Sequence, residues 1–293
     1  MNLRDLEYLV ALGTTGHFGR AAERCHVSQP TLSAQLRKLE EFLGVALVER
    51  RPRRVALTAA GEAVVERARR MLRDADDIRS LARASQDPLA GSLKVGLIPT
   101  LGPYLLPRVA PRIAKALPKL QLLLHEYQTA PLIERTLAGE LDLAILALPA
   151  ETRGLVTRTL FEESFFVAMP KAHRLAARKR VKGADLEGET LLLLEEGHCL
   201  RDQALEVCAH VGTEEQAFRA TSLETLRQMV AAGLGLTLLP RLAAEGPFAS
   251  TRSLAVRPFA APSPNRVIGA AWRRSTSRAE AIRAVCDIVA LAK

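Results

Sequence analysis

Residues 26–37 of the chain, HVSQPTLSAQLR, predict a tight turn that leads into a helix with one polar side. Ser28 is of a type that caps helix N-termini, and Pro30 suits the first helical turn. We expect this helix to end near Gly44. A shorter helix that begins near Phe18 precedes the turn, so the two helices form a helix-turn-helix pattern.

The polar side of the second helix carries side chains suited to DNA. Small hydroxyl and amide groups at its start can bind base edges in a major groove. A basic run between two short extended segments follows and would form a wing that contacts phosphates. The predicted DNA-binding residues are Ser28, Gln29, Pro30, Thr31, Ser33, Gln35, Arg37, Arg50, Arg51 and Arg53. The alternative is an ordinary helical bundle with a solvated arginine run, because the helix-turn-helix pattern alone is weak.

A long helix is predicted after the wing. Apolar residues recur there at alternating spacings of four and three, which is a heptad seam. The seam residues are Val64, Ala68, Met71, Ala75, Ile78 and Ala82. A helix of this length, about 40 Å, with so narrow an apolar side is expected to pair two subunits. Val64, Met71 and Ile78 are the predicted dimer contacts.

The remainder of the chain alternates candidate strands and helices, which favours parallel sheets covered by helices. Chain crossings near residues 163 and 266 would divide it into two lobes with a cleft between them. The predicted organisation is a winged helix-turn-helix domain over 1–58, a dimerising linker helix over 59–87 and an α/β regulatory domain over 88–293. Lobe I comprises 88–163 and 266–293, and lobe II comprises 164–265.

Composition indicates a soluble protein. The 293 residues carry a net charge of +9, and 48% of them are hydrophobic. The excess of positive charge is compatible with a nucleic-acid partner. No run of about 18 apolar residues and no signal peptide is evident, so we expect a cytoplasmic protein without a membrane partner. Four cysteines are too few for a disulfide framework.

The N-terminal part of the sequence resembles that of the LysR-type transcriptional regulators. The residues that carry the resemblance are Leu3–Leu6, Ala21–Glu23, Ser28–Ser33 and Leu57–Gly61. The resemblance extends over the whole chain and implies a two-lobed α/β regulatory domain like that of periplasmic binding proteins. It also implies that the protein binds double-stranded promoter DNA as a homodimer or homotetramer and contacts RNA polymerase.

A second segment is similar to a peroxide-sensing member of that family. Residues 196–204, EGHCLRDQA, are followed by Cys208 and by residues 218–226, FRATSLETL. This similarity implies an activator of oxidative-stress genes that is switched by hydrogen peroxide. Cys199 would form a sulfenic acid and then a disulfide with Cys208, which a thiol reductant would reset. The peroxide pocket implied by the resemblance contains Thr100, Thr129, His198, Asp202 and Arg266, with no cofactor and no metal.

Several alternatives remain open at this point. The chain could be a regulator that binds a metabolite in the cleft, a thiol peroxidase or a solute-binding protein, and the cysteines could be inert core residues. His198, Cys199, Cys208 and His210 could bind zinc, although they lack the short Cys-x-x-Cys spacing. The segment between Cys208 and Phe218 is one residue shorter than in the family pattern, which leaves the form of the loop open.

Overall fold

A computed structural model describes residues 1–51, 54–84, 87–208, 214–245 and 253–291. The chain forms two compact units, Met1–Ala82 and Arg83–Lys293. Within the described residues, every helix is too short or too polar to span a bilayer.

The N-terminal unit consists of three helices, a β-hairpin and most of a long helix. In chain order the elements are α1 (Leu3–Thr15), α2 (Phe18–Arg24), α3 (Gln29–Leu43), β1 (Val48–Arg51), β2 (Arg54–Leu57) and α4 (Ala59–Ala84). Strands β1 and β2 pair in antiparallel register, with Val48 opposite Leu57. The predicted winged helix-turn-helix is therefore confirmed.

Local capping explains where the first helices begin and end. Asn2 and Asp5 form a capping box at the start of α1. The Ser28 hydroxyl accepts a hydrogen bond from the backbone N–H of Thr31, at 3.3 Å, and so caps α3. Gly44 ends α3 in a left-handed conformation, with φ of 68°, which glycine adopts without steric cost.

The long helix α4 uses only part of its apolar seam within its own unit. Val64 packs against the core of the N-terminal unit, and Ala68 is buried. Met71 and Ile78 are 44% and 66% exposed. The apolar side chains of Met71 and Ile78 are therefore exposed on α4 rather than buried with Ala68.

The second unit contains nine strands and six α-helices among its described residues. The elements are β3 (Gly91–Leu97), α5 (Gly102–Ala116), β4 (Leu120–Glu126), α6 (Thr129–Leu137), β5 (Leu143–Leu148), β6 (Leu155–Pro170), β7 (Thr190–Leu194), α7 (Cys199–Cys208), β8 (Glu214–Ala220), α8 (Leu223–Ala231), β9 (Thr237–Pro240), α9 (Arg241–Glu245), β10 (Leu254–Pro258), β11 (Asn265–Arg273) and α10 (Ala279–Ala290).

The expectation of parallel sheets is only partly correct. Strand β3 pairs in parallel with β4 and β5, and β7 pairs in parallel with β8. Strand β11 instead pairs antiparallel with β5 and β6, and β6 pairs antiparallel with β9 and β10. The first half of β6 begins with half-buried and exposed residues and carries the charged Arg158 and Glu162, so the search for continuous apolar runs missed it.

Strand β6 connects the two halves of the second unit. Its residues Leu155–Ser164 pair with β11. Its residues from Phe165 onward pair with β9 and β10. The chain returns to the first group of strands at Asn265, where β11 begins. Glu163 and Arg266 therefore face each other at the junction of the two halves.

Candidate redox site

Helix α7 holds two cysteines at its opposite ends. Cys199 is its first residue and is half-buried, whereas Cys208 is its last residue and is buried. Nine residues of helix correspond to a rise of about 13 Å. A disulfide needs Cα atoms within about 7 Å of each other. Both cysteines are free thiols, and the intact helix keeps them too far apart to bond.

The environments of the cysteines differ. Burial raises the pKa of the Cys208 thiol to about 11. Burial also raises the pKa of Cys286 to about 12 and, together with the charge of Glu7, raises the pKa of Cys25. Only a thiolate is an effective nucleophile. In this form of the protein Cys208 and Cys286 are therefore protonated at neutral pH, whereas Cys199 lies at a helix N-terminus, which attracts anions.

A glycine turn positions Cys199. Gly197 has φ of 92°, a conformation that favours glycine. A Cβ atom there would lie 2.5 Å from the side-chain oxygen of Gln128. The Gln128 amide donates to the carbonyl oxygen of Glu196 at 3.4 Å and to a carboxylate oxygen of Glu195 at 3.5 Å. The segment before Cys199 is thus fixed against the start of α6.

A pocket of about 540 Å³ opens beside Cys199. Its wall combines the first turn of α7, one side of α6 and the segment after β5. The lining residues are Thr129, Ala130, Ile133, Glu134, Leu137, Ala147, Pro149, Ala150, Glu151, Gly197, Cys199 and Asp202. The Thr129 hydroxyl oxygen is buried and has no hydrogen-bond partner among the described residues. Asp202 is largely exposed, and its carboxylate lies 3.6 Å from the Arg201 guanidinium.

Arg266 belongs to a separate buried cluster. Its guanidinium lies 2.8 Å from a Glu163 carboxylate oxygen, and both side chains are almost fully buried. It also donates to the Thr100 hydroxyl at 3.0 Å and to the Thr100 carbonyl oxygen at 3.2 Å. The other Glu163 oxygen accepts from the backbone N–H of Leu242 at 2.8 Å. Every hydrogen bond described for this guanidinium goes to Glu163 or Thr100 rather than to Cys199.

His198 is buried and is not among the residues that line the pocket. Burial lowers its pKa, while the carboxylate of Glu195, 3.9 Å away, and a hydrogen bond with the backbone of Thr221 oppose that effect. The imidazole is consequently neutral at pH 7. Of the five side chains expected around the peroxide, Thr129 and Asp202 line the pocket with Cys199. Thr100 and Arg266 contact each other, and His198, which directly precedes Cys199 in the chain, is buried.

The sequence analysis missed two residues of this region, Glu163 and Gln128. Two glutamates and a serine interrupt the apolar residues of 160–169, and a carboxylate in such a segment signals a buried partner, because an isolated buried charge is costly. Gln128 gives no comparable signal. Among the described residues, no group of three or more metal-binding side chains is suited to a metal ion, and His210 of the zinc alternative lies outside the described residues.

The predicted DNA-binding residues occupy the first turns of α3 and the hairpin. Ser28, Gln29, Pro30, Thr31 and Arg37 are exposed, whereas Ser33 and Gln35 are half-buried. The hydroxyls of Ser28 and Thr31 lie 2.8 Å apart. Of the wing residues, Arg50 and Arg51 belong to β1, and Arg53 lies outside the described residues.

The rate at which each cysteine is labelled should reflect its burial. With iodoacetamide at neutral pH, the native protein should be labelled first at Cys199. Labelling of Cys208 and Cys286 should be at least about a hundredfold slower than that of a free cysteine, because each pKa unit removes a factor of ten in thiolate. Peptide mass mapping measures the order. All four cysteines should react at similar rates in urea, and rapid native labelling of Cys208 would contradict its described burial.

Two family models match the chain. Residues 3–62 match the bacterial regulatory helix-turn-helix protein, lysR family. Residues 86–292 match the LysR substrate binding domain. Together these matches cover the chain except for residues 1–2, 63–85 and 293.

The chain is also similar to named relatives and to solved structures. The chain is 49% identical over 295 residues to the DNA-binding transcriptional dual regulator OxyR of Escherichia coli, covering 98% of this chain and 96% of the relative. It is 44% identical to the hydrogen peroxide-inducible genes activator of Haemophilus influenzae, covering 93% and 91%. A full-length cysteine-to-aspartate mutant of OxyR from Pseudomonas aeruginosa has a TM-score of 0.76 at 44% identity, covering 99% and 95%.

A second similar structure contains a relative together with its ligand. It is a cysteine-to-serine mutant of OxyR from Corynebacterium glutamicum with hydrogen peroxide bound, with a TM-score of 0.68 at 36% identity and coverage of 99% and 92%. The chain belongs to the LysR family of bacterial transcriptional regulators and, within that family, to the OxyR group.

Proposed function

We propose that this protein is a transcriptional regulator of oxidative-stress genes, mainly an activator, that is switched by hydrogen peroxide. One observation carries the proposal: α7 begins at an accessible thiol beside a pocket and ends at a buried thiol about 13 Å away. The relatives that are named for peroxide induction or have bound peroxide support the same assignment.

The chemistry requires two steps. The Cys199 sulfur attacks one peroxide oxygen, so that an S–O bond forms and the O–O bond breaks. The sulfur is oxidised to a sulfenic acid, and the peroxide is reduced to water. The Cys208 thiol then attacks this sulfur, which forms the disulfide and releases a second water molecule. A thiol reductant resets the pair by exchange.

The disulfide is incompatible with the described form of α7. Closing it requires the helix to unwind or bend, because the cysteines must approach from about 13 Å to within about 7 Å. Leu200 and Ala204 are buried on the same helix, so unwinding it changes the packing of the unit around it. We propose that this change alters the contacts between subunits and hence DNA binding.

We propose that Thr129 and Asp202 contact the peroxide directly. The unpartnered Thr129 hydroxyl supports its role as a hydrogen-bond donor to the leaving oxygen. The remaining residues of the proposed peroxide site are Thr100, His198 and Arg266, as the resemblance implies. The proposed lobe boundaries remain 88–163 with 266–293 and 164–265.

The proposed assembly is a homodimer or homotetramer in the cytoplasm that contacts promoter DNA and RNA polymerase. Its function is signalling rather than turnover, so we propose that it is not an enzyme. A thiol peroxidase would consume peroxide repeatedly with a reductant and would not need the DNA-binding unit.

Substitutions on α3 should separate specific from general DNA binding. Gln29→Ala or Thr31→Ala should weaken binding to the target sequence by about 1–3 kcal/mol, because a base contact is lost. Arg50→Ala should weaken binding to all sequences equally, since phosphate contacts carry no base information. Gln121→Ala, an exposed glutamine in the regulatory unit, is the control. Unchanged target preference in the Gln29 and Thr31 variants would contradict this placement of α3.

The exposed half of the α4 seam is the proposed dimer contact. Replacing both Met71 and Ile78 by Asp should produce monomers, because it places unpaired carboxylates in an apolar interface at a cost of several kcal/mol. Sedimentation velocity measures the change. Arg69→Asp, which alters charge off the seam, should leave the assembly intact. Intact oligomers in the double variant would show that the main interface lies elsewhere.

The complete proposal is tested by DNA footprinting. An operator is first selected from a random library with the reduced protein. The footprint on this operator should change after equimolar hydrogen peroxide and return after dithiothreitol. A footprint that responds to a metabolite extract but not to peroxide would favour the metabolite-binding alternative.

A further inference from the structure

We propose that the pocket beside Cys199 also accepts small neutral organic hydroperoxides, and that it discriminates against hydroperoxides that carry a carboxylate. This inference rests on the proposed function, since it assumes that Cys199 reacts with a peroxide. It adds a substrate class and a selectivity rule that come from the shape and charge of the pocket.

The pocket is much larger than hydrogen peroxide needs. Its volume is about 540 Å³, within the range of pockets that enclose whole organic ligands. Part of the lining is apolar and includes Ala130, Ile133, Leu137 and Ala147. An alkyl or aryl tail placed against these side chains is removed from water, and this favours binding in proportion to the apolar area buried.

The polar groups of the pocket suit a hydroperoxide rather than another apolar ligand. The Thr129 hydroxyl is buried without a partner, and an unsatisfied buried donor costs free energy. It lines the same pocket as Cys199. A hydroperoxide whose tail packs against the apolar lining would have its O–O group at Cys199, with Thr129 in the same pocket lining.

The charge of the pocket sets the selectivity. Three carboxylates, those of Glu134, Glu151 and Asp202, lie in its lining, and none of the described lining residues is basic. A hydroperoxide with its own carboxylate is repelled by these like charges. A fatty-acid hydroperoxide is therefore a poor ligand, whereas cumene hydroperoxide is neutral and has a tail that the apolar wall can cover.

The same bonds form and break at sulfur as in the reaction with hydrogen peroxide. The Cys199 sulfur attacks the terminal oxygen of the hydroperoxide, an S–O bond forms and the O–O bond breaks. The sulfur is oxidised to a sulfenic acid. The organic oxygen leaves as the alcohol after it takes up one proton, and Cys208 then displaces water to form the disulfide.

The test compares rate constants for Cys199 oxidation in the full chain. Hydrogen peroxide, cumene hydroperoxide and linoleic acid hydroperoxide are the probes, and alkylation followed by mass mapping is the readout. Ala130→Leu fills the pocket from an exposed position on α6. The ratio of the cumene hydroperoxide rate to the hydrogen peroxide rate should fall about tenfold, the usual scale of a steric change of this size in an apolar pocket.

Two controls make the test specific. Ala138→Leu places the same side chain at the C-terminal end of α6, outside the pocket lining, and should retain the wild-type ratio. Glu134→Lys should raise the rate with linoleic acid hydroperoxide relative to hydrogen peroxide by about threefold or more, because it replaces repulsion by attraction. Glu280→Lys makes the same charge change away from the pocket and should have no such effect.

The outcomes separate this inference from the proposed function. If hydrogen peroxide oxidises Cys199 but the ratios are unchanged in Ala130→Leu and Glu134→Lys, the tail does not occupy this pocket and the inference is overturned. If no peroxide oxidises Cys199, the proposed function itself fails.

Discussion

Cys199→Ser is expected to abolish the response to peroxide completely. The variant lacks the only accessible thiol beside the pocket, and a serine hydroxyl is not oxidised to a sulfenic acid. The two buried thiols, Cys208 and Cys286, cannot replace it, because burial raises their pKa values to about 11 and about 12. The expected result is a DNA footprint that stays in the reduced form at every peroxide concentration that switches the wild type.

The other variants are expected to affect the peroxide response less than Cys199→Ser does. Cys208→Ser retains the attacking thiol but lacks its partner, so Cys199 should stop at the sulfenic acid or oxidise further. Arg266→Ala should slow the oxidation without abolishing it. Cys25→Ser and Cys286→Ser are the matched controls and should respond as the wild type does. A Cys199→Ser protein that still switches at low peroxide would show that the sensing thiol lies elsewhere.

Among the variants proposed here, Glu163→Ala is expected to lower the free energy of unfolding the most. It removes the carboxylate that contacts Arg266 at 2.8 Å in a fully buried site and the acceptor for the backbone N–H of Leu242. Breaking a buried pair leaves an uncompensated charge, and the typical cost is about 3–5 kcal/mol. Urea unfolding of the reduced protein, followed by the fluorescence of Trp272, measures the change.

The neighbouring Glu162 provides the matched control. Its side chain is exposed, so Glu162→Ala should change the free energy of unfolding by less than about 0.5 kcal/mol. Glu163→Gln keeps the shape of the side chain and should fall between the two. Equal stability of the Glu162 and Glu163 variants would contradict a structural role for the Glu163–Arg266 pair.

Local signals made the DNA-binding unit predictable from the sequence. The boundaries of α3 depend on Ser28, Pro30 and Gly44, and each acts within its own few residues through a cap, a fixed φ or a left-handed end. The spacing of Cys199 and Cys208 also follows from local helix geometry. Such features depend little on the rest of the chain.

The arrangement of the regulatory unit depends on contacts that sequence spacing does not encode. Arg266 and Glu163 are 103 residues apart, yet they share a hydrogen bond of 2.9 Å. The antiparallel strand β11 enters between β5 and β6, and a reading of alternating strands and helices does not reveal that insertion. The peroxide-pocket residues were named together because of the family resemblance, and of these the structure shows Thr129 and Asp202 in the pocket lining and Arg266 in a buried ion pair with Glu163.

Peptide mass mapping of the oxidised full-length protein tests the redox switch most directly. Trypsin cleaves after Arg201 and so separates Cys199, in residues 183–201, from Cys208, in residues 202–219. After equimolar hydrogen peroxide and a non-reducing digest, we predict one cross-linked species with the summed mass of the two peptides less two hydrogen atoms. Dithiothreitol should split it. Two separate peptides with unmodified thiols, or a cross-link to Cys25 or Cys286, would contradict the proposed switch.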